Sequence, residues 1–101
     1  MSTNEPILTI SVAAKLLKLH PRTLMLYEKA GLLTPHRTNT KRRMFSVDDL
    51  SHLQFIKYLT QKEGANLRSV RLILQAILVC EKEGVSLKKL LFPAFKAEKL
   101  I

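Results

Sequence analysis

The side chains with most chemical potential in this 101-residue chain are cations, and they cluster. Lys41-Arg42-Arg43 lies a few residues beyond Arg37, with Arg22 and Lys29 upstream. Between Met1 and Phe45, eight Lys/Arg face two acids; from Ser46 to Ile101, nine face six. The formal net charge is +9. Such an excess on a small chain suits a polyanion, because each neutralised phosphate releases condensed counterions. It suits a merely basic, soluble protein equally well, so the spacing of the cations must decide.

Other chemistries find little support. There is no Ser/His/Asp set, Gly-rich phosphate loop or carboxylate cluster, so no enzymatic activity is expected. His20, His36 and His52 have no partner at ligand spacing, and Cys80 stands alone. Neither a metal site nor a cofactor is expected. A lone cysteine fits a reducing compartment, and Cys80 reads as a buried apolar residue of a helix. The apolar run Leu72–Cys80 is too short to span a bilayer, and Met1–Pro6 lacks the character of a signal peptide. A cytoplasmic, nucleoid-associated protein with no membrane partner is the expectation.

The elements that would position the cations can be read from caps and periodicity. Ser11 is a plausible cap for a short helix in which Val12, Ala13, Leu16 and Leu17 share a face. Leu19-His20-Pro21 breaks it and starts a second helix, with Pro21 at the first helical position. That helix runs from Pro21 to about Lys29 and stops at Gly31. Two short helices so joined cross steeply, as in a helix-turn-helix. The second has a sparse core face, Leu24 with Tyr27 or Glu28, and so has a face free for base edges and phosphates.

Pro35–Phe45 reads as a β-hairpin with a basic tip and returning strand, Asn39 near its turn. Ser46 caps a third helix with Val47, Leu50, Leu53, Ile56 and Leu59 in a stripe, ending near Gly64. Its Lys57 and Lys62 read as a solvated face. Asn66 caps a fourth helix, Leu67 to about Glu83, which is apolar nearly all round from Leu72 to Cys80. The tail Val85–Ile101 adds one short helix capped by Ser86 and interrupted at Pro93. Either this tail or another subunit must cover the fourth helix.

Ile10-Ser11-Val12-Ala13-Ala14, Leu19-His20-Pro21-Arg22-Thr23-Leu24, Tyr27-Glu28 with Gly31-Leu32, and Glu63-Gly64-Ala65-Asn66-Leu67 together resemble the MerR family of transcription regulators. The last element and the His-Pro pair are most similar to its heat-shock repressor (HspR) group. The resemblance implies a winged helix-turn-helix that binds inverted-repeat promoter DNA as a homodimer, with the chaperone DnaK as co-repressor. It places Arg22, Thr23 and Tyr27 on the recognition helix and Arg43 on the wing. Phe45 stands where the family usually has Tyr, Met25 where it typically has Arg, and Lys41 where the wing usually has Gly.

The expected fold is therefore all-α with a small β-hairpin wing: a winged helix-turn-helix over 8–78 and a short helical, dimerising tail over 79–101. Arg22 is the candidate base reader, through bidentate pairing with guanine. Thr23, Lys29 and the Tyr27 hydroxyl are candidates on the same helix, and Arg37, Lys41, Arg42 and Arg43 would grip the backbone. Leu72, Ala76, Val79, Leu87, Leu90, Leu91 and Phe95 are the expected dimer contacts. An excisionase-like architectural protein, or an adaptor that has lost DNA binding, remains the alternative.

Overall fold

A computed structural model describes residues 2–101 as five helices and three short strands. The chain begins with strand β1 (Leu8–Thr9), which runs directly into α1 (Ile10–Leu17). Next come α2 (Pro21–Lys29), β2 (His36–Arg37), β3 (Arg43–Phe45) and α3 (Val47–Gln61). The chain continues with α4 (Leu67–Lys82) and α5 (Leu87–Leu91). The fold is mostly helical, as expected, but the sheet has three strands, in the antiparallel order β1-β3-β2. Leu8 pairs with Phe45 and Thr9 with Met44, tying the first helix to the wing.

That pairing corrects the start of α1. Thr9, extended in the sheet, caps the helix by accepting from the Val12 backbone N–H at 3.3 Å, so Ser11 lies inside it. The inward face is then Ala13, Ala14 and Leu17. Val12 lies about 200° around the helix from Ala14 and is 45% exposed, rather than sharing the buried face. The small Ala pair allows close approach, and α1 packs on both α2 and α3.

The bounds expected for α2 hold. His20 caps it, its Nδ1 accepting from the Arg22 N–H at 3.0 Å, and Pro21 occupies the first turn, where no N–H is needed. Gly31 closes it at φ +79°, left-handed backbone that favours glycine. Ser46 and Asp49 form a reciprocal capping box at α3, and Asn66 accepts from Ser69 N–H at α4.

The core gathers Ala13, Leu17, Leu24, Tyr27, Leu32, Phe45, Leu50, Leu53, Phe55, Ile56, Leu59 and Val70, among others. Phe55 lies outside the stripe expected for α3. It is buried because the tail covers a second face, with Phe95 and Phe92 ring centroids 5.1 and 5.7 Å away. Gln54 and Glu98 exchange two hydrogen bonds that fix the tail to α3. Cys80 is half-buried rather than buried, because the tail leaves much of α4 uncovered. α4 continues unbroken through residues 78 and 79 and turns at Gly84, φ +77°.

Lys57 is also not the solvated residue expected. Its ammonium donates to the Leu17 carbonyl at 2.8 Å, satisfying an orphan acceptor and placing a cation at the C-terminus of α1. A charged hydrogen bond of this kind contributes on the order of 1.5–3 kcal/mol. Lys57→Ala should lower stability by about 1–2 kcal/mol in urea unfolding. A loss below about 0.5 kcal/mol, the usual range for surface changes, would contradict that role.

Candidate nucleic-acid interface

The first two turns of α2 expose Arg22, Met25 and Leu26, with Thr23 half-buried and Lys29 exposed at the far end. Leu24 and Tyr27 anchor the opposite face in the core. Tyr27 is only 4% exposed, so its ring is structural and any contact it makes is limited to a sliver of surface. Because His20 holds the Arg22 amide, the backbone of Arg22 is set while its guanidinium projects from the first turn.

The wing is a compact hairpin. Arg37 pairs with Arg43 across β2 and β3, and Thr38 exchanges bonds with Arg42 and Lys41 around the tip. Thr38 N–H donates to the Arg42 carbonyl and Lys41 N–H to the Thr38 carbonyl, each at 2.9 Å. This is a three-residue loop closed by a residue in the left-handed region. That residue is Lys41, at φ +67°. The conformation costs a non-glycine residue on the order of 1–2 kcal/mol. Arg37 offsets part of it, its Nη1 donating to the Lys41 carbonyl at 3.0 Å.

Helix and wing meet at Glu28. Its Oε1 accepts from Arg43 Nε at 2.6 Å and its Oε2 from Arg37 Nη2 at 2.9 Å. Partial burial pushes the Glu28 carboxyl up, but hydrogen bonds and charge from Arg43 and Arg37 outweigh it and hold it below the ordinary carboxylate range. Since the folded value lies below the unfolded one, this contribution is present above the ordinary carboxylate pKa. It is lost as pH falls through the folded value. Lys41 and Arg42 remain exposed at the tip.

Glu28 and Lys57 are the residues whose roles the sequence reading missed. The available signal for Glu28 was its isolation: only it and Glu5 are acidic among the first 45 residues. Among the described residues, no three His, Cys, Asp or Glu side chains gather into a metal-ligating group, and no helix is long and apolar enough to cross a membrane. His52 donates from Nε2 to the Leu32 carbonyl at 2.9 Å, packing the end of α2 against α3.

The model of the MerR HTH family of regulatory proteins matches residues 8–77, from β1 through most of α4. The chain belongs to the MerR family. It is 39% identical over 75 residues to the heat shock protein HspR of Streptomyces coelicolor, covering 74% of this chain and 50% of that protein. It is 33% identical over 83 residues to the HTH-type transcriptional regulator GlnR of Bacillus anthracis, covering 82% of this chain and 61% of that one. The chain thus spans only half to about three-fifths of the length of these relatives. Its fold is similar to that of HiNmlR, a MerR family regulator lacking the sensor domain, in a crystal structure bound to promoter DNA. The TM-score is 0.63 at 26% identity, covering 70% of this chain and 54% of that one.

Lys41, expected to stand in place of a wing glycine, takes a left-handed turn, and Phe45 is buried at the base of the wing. Met25 leaves its thioether exposed on the same face as Arg22 and Leu26. Of the residues expected at a dimer contact, Leu72, Ala76 and Val79 lie at helical spacing on an exposed stripe of α4. Leu90 and Leu91 are exposed on α5. Leu87 and Phe95 instead pack partly within their own chain, Phe95 against Phe55 and Tyr58.

Proposed function

We propose that this MerR-family protein is a DNA-binding transcription regulator that binds double-stranded promoter DNA. In this reading it acts as a homodimer on an inverted repeat and represses the genes it controls. The observation that carries the reading is a short, singly anchored helix with exposed Arg22 and Lys29, joined to a wing whose tip exposes Lys41 and Arg42. An α-helix fits the major groove, where Arg22 pairs with guanine, while Thr23, Lys29, Lys41 and Arg42 contact phosphates. Family membership and the DNA-bound relative support the same reading.

Dimerisation is supported by the uncovered apolar surface: Leu72 is 61%, Val79 62% and Leu90 70% exposed. Exposed apolar side chains in this number favour association when they gather into a patch. Repression, and DnaK as co-repressor, rest on the similarity to the HspR group. Selection from a pool of random duplexes should return two inverted half-sites, their centres one or more helical turns of about 10 bp apart. Light scattering at about 50 μM, well above a micromolar dissociation constant, should give a dimer. A monomer, or a single selected half-site, would overturn the homodimer. A promoter fusion should rise when the gene is deleted and fall further when DnaK is supplied beside the intact protein.

A further inference from the structure

We propose that Glu28 is the positioning residue of this interface: it latches both wing strands to the recognition helix. Arg37 and Arg43 place the wing, and Lys41 and Arg42 deliver its charge to the phosphates. The inference rests on the DNA-binding reading above and assigns roles within it.

Four observations carry it. Among the described residues, the two ion pairs both belong to Glu28, and each uses a different carboxylate oxygen. Arg37 and Arg43 are direct cross-strand partners, so one carboxylate grips both strands at the same rung. Like charges placed opposite one another destabilise a hairpin, and Glu28 removes that repulsion. Arg37 also reaches the Lys41 carbonyl, extending the latch to the left-handed residue that shapes the tip.

The strands themselves are too short to hold the wing. β2 has two residues and β3 three, and an isolated hairpin is marginal in water at best. β1 supports β3 from the other side, but nothing in the sheet fixes β2 against α2. Glu28 does so, fifteen residues from Arg43 and nine from Arg37. An acid on a helix that faces phosphate would otherwise only oppose binding.

This makes a prediction opposite in sign to net charge. Glu28→Gln raises the formal charge of +9 by one, and by long-range electrostatics alone it should tighten binding and steepen its salt dependence. If Glu28 positions the wing, the substitution weakens binding to duplex DNA by about tenfold and flattens the salt slope by about one or two, although no cation is removed. Arg43→Gln in the Glu28→Gln background then adds little, because the pair acts as a unit.

The test is fluorescence anisotropy on a labelled duplex across a salt series for the parent, Glu28→Gln, Arg43→Gln and the double variant. Amide hydrogen exchange at Thr38, Lys41 and Arg42 is measured in the DNA-free proteins. Exchange at the tip should rise by about tenfold in Glu28→Gln while α2 stays protected. Equal or tighter DNA binding with an unchanged or steeper slope, or an unchanged exchange rate at the tip, would overturn the proposal. Exchange needs no DNA, so it judges the latch even if the parent binds no duplex, an outcome that sinks the DNA-binding reading instead. Should Glu28→Gln unfold, Arg43→Gln supplies the exchange readout, because the Arg43 side chain reaches Glu28 and makes no direct bond to the tip.

Discussion

Phe55→Ala is expected to cost about 3–5 kcal/mol, the usual range for deleting a buried phenyl ring. Phe55 is among the largest fully buried side chains, on a helix packed against α1, α4 and the tail. Its ring meets Phe92 and Phe95 edge-on or tilted, and the Lys88 ammonium sits 4.4 Å from its centroid. Removing the ring therefore opens a cavity in α3 and also takes away the surface on which the tail rests. A single domain of this size has roughly 5–15 kcal/mol of total stability, so the loss is a large share of it. Urea unfolding should show a much lower midpoint, and limited proteolysis should cut the tail first. A cost near 1 kcal/mol with the tail still protected would mean the aromatic cluster contributes little.

The second large effect concerns recognition. Arg22→Ala should remove about 1–3 kcal/mol of discrimination between a selected site and random duplex, through loss of a bidentate base contact. The backbone there is already fixed by the His20 cap, so the substitution leaves the helix in place and isolates the guanidinium. Arg42→Ala, at the wing tip, should instead weaken all duplexes alike and reduce the salt slope by about one. Competition binding against specific and random duplexes separates the two. Equal losses on both duplexes for Arg22→Ala would demote it to a phosphate contact and leave α2 with no evident base reader. Met25 and Leu26 would then offer only apolar contact with thymine methyl groups.

Much of this arrangement was legible from local signals. The His-Pro pair and Gly31 bounded α2, and Ser46 and Asn66 marked the starts of α3 and α4. These features act within one turn of backbone, which is why sequence displays them. β1 was not legible, because two residues carry no periodicity and pair only with the distant residues Met44 and Phe45. Its absence from the reading misplaced the cap of α1 from Thr9 to Ser11 and turned Val12 inward. The burial of Phe55 was hidden for a similar reason: it depends on the tail folding back, which the α3 stripe does not encode. Glu28 was visible as a residue, but its role needed the register that brings Arg37 and Arg43 opposite each other.

The assigned roles also divide the cations into two kinds. Arg37, Arg43 and Lys57 hold elements together, through Glu28 and the Leu17 carbonyl. Arg22, Lys29, Lys41 and Arg42 are exposed on α2 and the wing tip. Two such sets in a dimer suit a contact with about six to ten phosphates, for which log K against log salt falls with a slope of about −5 to −9. The most direct test of DNA binding is that slope, from anisotropy titrations of the parent protein on duplex DNA between about 50 and 200 mM salt. Affinity should fall by roughly a thousandfold or more over that range. Affinity that stays flat with salt, or no binding at about 50 mM, would contradict it.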